Sequence, residues 1–172
     1  MQLFLKESWY IIIVKRFTCR KDIKMNKTEI KFTKLDKRAT APVYGTPFAA
    51  GADLRALLDE NIKIAPGETV LIHPGIAAQI PDGLVGLVYA RSGLAAKRGL
   101  APANCVGVID SDYRGEIMVA LRNYSNDVQE IEHQERIAQL VIAPYISADF
   151  IEAETLEETD RGQGGFGSTG RK

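Results

Sequence analysis

Turn-forming residues recur so closely through the middle of this chain that no long helix fits between them. Pro66-Gly67, Pro74-Gly75 and Pro81-Asp82-Gly83 break the sequence at short intervals. Proline removes a backbone donor and fixes φ, and glycine accepts the positive φ that tight turns need. The pieces between the breaks, 69–72, 76–80 and 84–90, are short and rich in apolar residues. Residues 30–35 alternate apolar and polar, residues 41–51 read as a loop around Pro42, Gly45 and Pro47, and 52–58 mix apolar residues with Asp53 and Arg55. Further on, 106–109, 116–121, 137–142 and 150–154 read as strands, with 106–109 and 116–121 joined through the turn at 110–115 as a β-hairpin. One short helix is expected at 92–98, where Leu94, Ala95, Ala96 and Lys97 are stopped by Gly99. Many short strands with regular turns and one short helix indicate an all-β sandwich or barrel. There is no internal repeat and no second domain.

Length and charge limit the rest. The chain has 172 residues, 45% of them hydrophobic, enough for one domain with a real core. Lys+Arg and Asp+Glu both number 22, so there is no overall basic charge of the kind that nucleic-acid or membrane-surface binding usually needs. No apolar run approaches the ~20 residues of a membrane span. The short apolar run at 9–14 is followed, not preceded, by basic residues, which is the wrong order for a secretory signal. Residues 1–24 are therefore expected to be a disordered, dispensable extension, with Met25 opening the domain, which runs to 155. A cytoplasmic location follows, and an organelle-targeting role for 1–24 is the alternative. Cys19 and Cys105 lack metal-like spacing and are expected to be reduced. His73 and His133 have no paired spacing and are expected to be exposed or in loops.

Five segments carry chemistry. The last, 156–172, is expected to be a flexible, glycine-rich strap. Within it 161–170 hold Arg161, Phe166, Gly167, Ser168, Thr169 and four further glycines. Glycines let backbone N–H groups face an anion, the hydroxyls and Arg161 add donors, and Phe166 offers a face on which a base stacks. This is either a floppy tail or a strap that closes over a nucleotide. Earlier, Ala50-Gly51-Ala52-Asp53-Leu54 either holds a cation's water shell or caps a turn. In Ala90-Arg91-Ser92-Gly93, the helix start either receives phosphate or is capped by Ser92. The stretch 104–115 holds Asn104, Gly107, Asp110, Asp112 and Tyr113: an amide able to read a base edge, a close-approach glycine, carboxylates able to polarise water, and a ring able to lie on a sugar. It could equally be a polar turn. Gln139, polar inside the apolar run of 137–142, is either on the solvent face or tied into a site.

Taken in order, these segments resemble the five motifs of the trimeric dUTPases, from about residue 28 to the end. The resemblance implies a jelly-roll-like β-barrel of the β-clip type, assembled as a homotrimer with active sites shared between subunits. It implies hydrolysis of dUTP to dUMP and pyrophosphate, with Mg²⁺ on the triphosphate, which keeps uracil out of DNA and supplies dUMP for thymidylate synthesis. Carried over residue by residue, Asp110 orients and deprotonates the attacking water and contacts the sugar. Asn104, with the backbone around Val108 and Ile109, reads uracil, and Met118 lines the nucleoside pocket. Tyr113 packs on deoxyribose and leaves no room for a 2′-hydroxyl. Arg91, Ser92 and Gly93 bind phosphate, Gln139 helps hold site water, and Asp53 reaches the metal through water. Arg161, Gly167 and Ser168 belong to the strap on the terminal phosphate, with Phe166 over the base. A deaminase acting on dCTP shares this fold, but the placing of Asp110 and Tyr113 is the hydrolase arrangement. A module that keeps the fold without turnover would be expected to lack Asp110 or the tail.

The chemistry suits those residues. Water approaching the α-phosphorus meets a polyanion, so cations and N–H donors must surround the phosphates. Because the substrate itself supplies most of the metal's ligands, the chain needs few. A carboxylate is a weak base, so the value of Asp110 is mostly positional.

Overall fold

The computed structural model describes residues 27–165. The expected extension at 1–24, and Phe166, Gly167, Ser168 and Thr169 of the expected strap, lie outside the described residues. Twelve strands and one helix follow in order: β1 Lys31–Lys34, β2 Val43–Tyr44, β3 Gly51–Arg55, β4 Ile62–Ile64, β5 Thr69–Ile72, β6 Ile76–Gln79, β7 Leu84–Ala90, α1 Ser92–Arg98, β8 Leu100–Pro102, β9 Gly107–Ile109, β10 Val119–Asn123, β11 Gln129–Ile131 and β12 Arg136–Pro144.

The longest strand, β12, lies between β3 and β7 in a five-stranded sheet of order β2-β3-β12-β7-β9. A three-stranded sheet β5-β10-β8 and two pairs, β1-β6 and β4-β11, complete the set. All defined pairings are antiparallel. The architecture is all-β and jelly-roll-like; among the described residues there is one short helix and the ladders do not close into one continuous barrel. One core joins the sheets, with Leu54, Ile64, Ile72, Val88, Leu100, Ile117, Val119, Leu121, Ile131, Ile137 and Leu140 buried together. Burial at about 25 cal/mol per Å² of apolar surface is the main stabilising contribution.

Helix α1 ends as the sequence predicts. Gly99 takes φ 65° and its N–H bonds back to the carbonyls of Leu94 and Ala95, the left-handed stop that glycine makes without strain. The start differs from the N-cap alternative. Arg91, extended at φ −84° and ψ 128°, occupies the cap position without a side-chain cap, and Ser92 is the first helical residue.

Two strand expectations fail. The runs around 106–109 and 116–121 do not form a hairpin: β9 pairs with β7, whereas β10 pairs with β5 and β8. The buried side chains of the two runs belong to different sheets, and the nine-residue connection between β9 and β10 is long enough to let them diverge. Residues 150–154 form no strand, and Phe150 is 98% exposed. Strand geometry needs a neighbour to receive its backbone groups, and the described chain offers that segment none. The short strands β2, β4, β8 and β11, of two or three residues, give too little period to be seen in sequence.

Asn123 closes the core at one end. It is fully buried, and its Nδ2 donates to the Ile64 and Asp127 carbonyls (2.9 and 2.7 Å) while Oδ1 accepts from the Ser125 N–H and hydroxyl (2.9 and 2.7 Å). At the surface, hydrogen bonds from Arg38 hold the Asp36 carboxyl down at about 2, and Arg38 also reaches Asp59 at 2.7 Å. A depressed carboxyl contributes only above its ordinary value, so this contact is lost as pH falls from about 4 towards about 2.

Asn123→Ala strands several buried partners at once. It is expected to cost ~3 kcal/mol and to lower the melting temperature by ~10 °C in a thermal scan; an unchanged midpoint would remove Asn123 from the fold's supports.

Candidate functional site

The failure of β9 and β10 to pair opens a cleft between them. Its volume is about 310 Å³, and it is lined by Asn104, Val108, Ile109, Asp110, Tyr113 and Met118, with Leu71, Glu116 and Ala120. Six candidate residues from one stretch thus meet in one place.

Local structure explains how each arrives. After β8 the chain turns sharply: the Cys105 N–H donates to the Pro102 carbonyl at 3.0 Å, and Cys105 takes φ +62°, unusual for a side-chain-bearing residue. Asn104 stands at this turn, exposed at the cleft. Gly107 follows where any Cβ would meet Val88 Cβ at 3.1 Å and Asn104 Nδ2 at 3.2 Å, so the close approach read from the sequence is present. Strand β9 lies at the end of its sheet. One edge bonds to β7 and the other leaves backbone N–H and C=O groups without a strand partner, beside the cleft.

Asp110 leaves β9 and is exposed. Among the described residues, its carboxylate has no ion pair and accepts no hydrogen bond. The Tyr113 N–H donates to the Asp110 carbonyl at 3.2 Å, turning the chain so that the Tyr113 ring reaches the same cleft.

A second cluster sits on the five-stranded sheet. Gln139 of β12 is paired with Asp53 of β3 on one side and Tyr89 of β7 on the other, placing all three on one face. Asp53 is only 7% exposed. Its Oδ1 accepts from Arg91 Nε at 2.8 Å and Gln139 Nε2 at 3.5 Å, and its Oδ2 accepts from Arg136 Nη1 at 3.2 Å. A buried carboxylate between two guanidinium groups is compensated, and it fixes where both cations point. The alternatives left open by sequence are thereby reduced: Gln139 is tied to Asp53, and Asp53 holds arginines instead of capping a turn. Ser92 and Gly93 are exposed beside Arg91. None of this cluster lines the cleft. Arg161 joins neither cluster; its Nε donates to the Gly164 carbonyl at 2.9 Å.

Sequence reading missed Arg136, Glu116, Leu71 and Ala120. Arg136 stands just before the apolar run that holds Gln139, but nothing in sequence shows that a bulge between Arg136 and Ala138 brings it to Asp53. His73 and His133 are exposed and contact Glu116 and the Leu58 N–H respectively. Cys105 is an exposed free thiol, and Cys19 lies outside the described residues. Among the described residues no group of three or more His, Cys, Asp or Glu side chains could enclose a metal ion.

An all-β chain of the β-clip kind, with a polar cleft beside an edge strand and a carboxylate clamped by arginines, is a class of fold with close relatives. The family described as dUTPase matches residues 37–170. The deoxyuridine 5′-triphosphate nucleotidohydrolase of Desulfitobacterium hafniense is 51% identical over 145 residues, covering 84% of this chain and 96% of its own. That of Nautilia profundicola is 50% identical over 143 residues, covering 83% and 99%. Among solved structures, a mutant dUTPase of Staphylococcus bacteriophage 80alpha with dUpNHpp is similar at a TM-score of 0.74 and 28% identity, covering 84% of this chain and 99% of that one. The chain belongs to the dUTPase family.

Asp53→Asn removes the anion between Arg91 and Arg136. The melting temperature is expected to fall by several degrees in low salt and to recover partly at ~0.5 M salt, where repulsion between the two cations is screened. A deficit indifferent to salt would contradict the clamp.

Proposed function

We infer that this chain hydrolyses dUTP to dUMP and pyrophosphate by attack of water on the α-phosphorus. Family membership and about half identity to named deoxyuridine triphosphate nucleotidohydrolases support the reaction. The observation that carries the residue-level reading is the cleft, which gathers an amide, a free strand edge, an uncommitted carboxylate and a tyrosine ring within one small volume.

In this reading, uracil lies against β9. The backbone around Val108 and Ile109 supplies fixed donors and acceptors, and Asn104 completes the edge. A base presenting an amino donor where uracil has an acceptor would leave a mismatched pair, at ~1–3 kcal/mol. Met118 packs on the nucleoside, and the Tyr113 ring covers the sugar. Asp110, unpaired and exposed at the rim, accepts a hydrogen bond from the attacking water and takes its proton. Holding one water in line with phosphorus accounts for most of its effect.

Arg91, with Ser92 and Gly93, receives phosphate oxygens, and Gln139 holds a water beside them. The family generally uses a divalent metal. We assign Mg²⁺, which would neutralise part of the triphosphate charge when bound. The donor set fits an ion carried by the substrate: Asp53 is nearly buried and its oxygens are committed to arginines, so it reaches such an ion only through water.

One copy carries the cleft and the arginine clamp as separate clusters. We therefore propose a homotrimer in which one copy's cleft meets another's clamp, and residues 156–172 of a third close over the nucleotide. Arg161 and Ser168 then meet the terminal phosphate beside the Gly167 backbone, and Phe166 covers uracil. The proposed domain limits are 25–155 for the body, with 1–24 dispensable, and the proposed location is cytoplasmic.

Pyrophosphate release from dUTP tests the reaction directly. Asp110→Asn is expected to keep nucleotide binding and to lower kcat by at least ~100-fold; unchanged turnover would remove Asp110 from the mechanism. Chains ending at residue 160 are expected to be inactive alone, and so is Asp110→Asn, whereas assemblies made by mixing the two are expected to regain turnover. No recovery in verified mixed assemblies would contradict shared sites.

A further inference from the structure

The side chain of Glu116 and the missing side chain of Gly115 play no part in the steps above, yet both decide where the Tyr113 ring lies. The ring is folded back over Gly115. A Cβ at that position would stand 2.4 Å from Tyr113 Oη, 2.6 Å from Cζ and 3.0 Å from Cε2. Gly115 is not among the positive-φ glycines, so its backbone would accept alanine, and the ring stands where the methyl would go.

The far end of the ring is anchored as well. The Tyr113 hydroxyl donates to the Glu116 carbonyl at 3.0 Å. Glu116 is in turn held from three directions. Its Oε1 accepts from the Gly75 N–H at 2.6 Å, and its Oε2 accepts from His73 Nδ1 at 2.8 Å. Its backbone bridges Ala77, and the N–H of the following residue, the buried Ile117, donates to the Ile76 carbonyl at 2.9 Å. The ring's anchor is thus tied to β6 and to the turn before it, outside the loop that carries Tyr113.

We propose that Gly115 and Glu116 set the discrimination between deoxyribose and ribose by fixing the Tyr113 ring. Tyr113 touches the sugar; Gly115 and Glu116 are positioning residues. The proposal rests on the reading of Tyr113 as the ring that covers the sugar. Its physical basis is that a wall excludes a hydroxyl only if it cannot yield. A free tyrosine changes rotamer at little cost. This one has its hydroxyl end in the space a Gly115 Cβ would take, and its hydroxyl bonded to a carbonyl that is itself braced.

The test is the ratio of kcat/KM for dUTP over UTP, measured on the full-length protein and its variants. Gly115→Ala displaces the ring and is expected to lower the ratio by ~10-fold or more, chiefly by raising activity on UTP relative to dUTP. Glu116→Ala is expected to act in the same direction, and Tyr113→Phe, which keeps the ring but loses its anchor, by ~3-fold. Glu116→Gln retains an acceptor for the Gly75 N–H and is expected to restore most of the ratio. A merely structural role would lower both activities together and leave the ratio unmoved. If Gly115→Ala does not fold, Glu116→Ala and Tyr113→Phe decide the matter. A wild-type ratio in these variants, while Tyr113→Ala abolishes discrimination, would overturn the proposal alone. A ratio unmoved even in Tyr113→Ala would overturn the reading of Tyr113 with it.

Discussion

Backbone pairing of β12 with β3 on one edge and β7 on the other is the interaction on which the rest of the structure depends. It aligns Gln139 with Asp53 and Tyr89. The bulge between Arg136 and Ala138 lets Ile137 and Ala138 both enter the core while Arg136 reaches Asp53. β7 then runs directly into Arg91 at the cap of α1, so the second guanidinium arrives from the other edge. A buried anion between two cations tolerates little displacement, because losing either partner leaves charge uncompensated. The same ladder leaves β9, the partner of β7, with one open edge. The clamp and the open edge of β9 therefore hang from one sheet.

The cleft exists because two sequence neighbours part company. β9 goes to the five-stranded sheet and β10 to the three-stranded one. The connection between them has to span the gap, and it carries Asp110, Tyr113 and Glu116. Functional groups on a connection are only as exact as its supports. Here support comes from Glu116 and Ile117, which tie the end of the connection to the β5–β6 turn and to β6. Exposed apolar side chains such as Phe32, Val43, Leu71 and Phe150 remain on a single copy.

Much of this was legible in the sequence where local chemistry decides. The Pro-Gly breaks gave β5 and β7 at their observed limits, and Gly99 stopped α1 at the predicted place. The stretch 104–115 was readable as one candidate cluster because its residues are close in sequence, on β9 and the turns that flank it. What failed was non-local. The turn at 110–115 is real, but a turn does not choose which strands its flanks will pair with. Residues 150–154 have strand-like composition and no neighbour in the described chain. Arg136 and Glu116 looked like ordinary surface charges; a bulge gives one its role and a partner turn far away in sequence gives the other its role. Asn123 gave no sign of its burial, since its partners come from Ile64, Ser125 and Asp127.

The central claim is that water opens the bond between the first and second phosphorus atoms by joining the first. Hydrolysis in water enriched in oxygen-18, followed by mass spectrometry of both products, tests it most directly. The account predicts one heavy oxygen in dUMP and none in pyrophosphate. Label in the pyrophosphate, or in a single released phosphate, would contradict it.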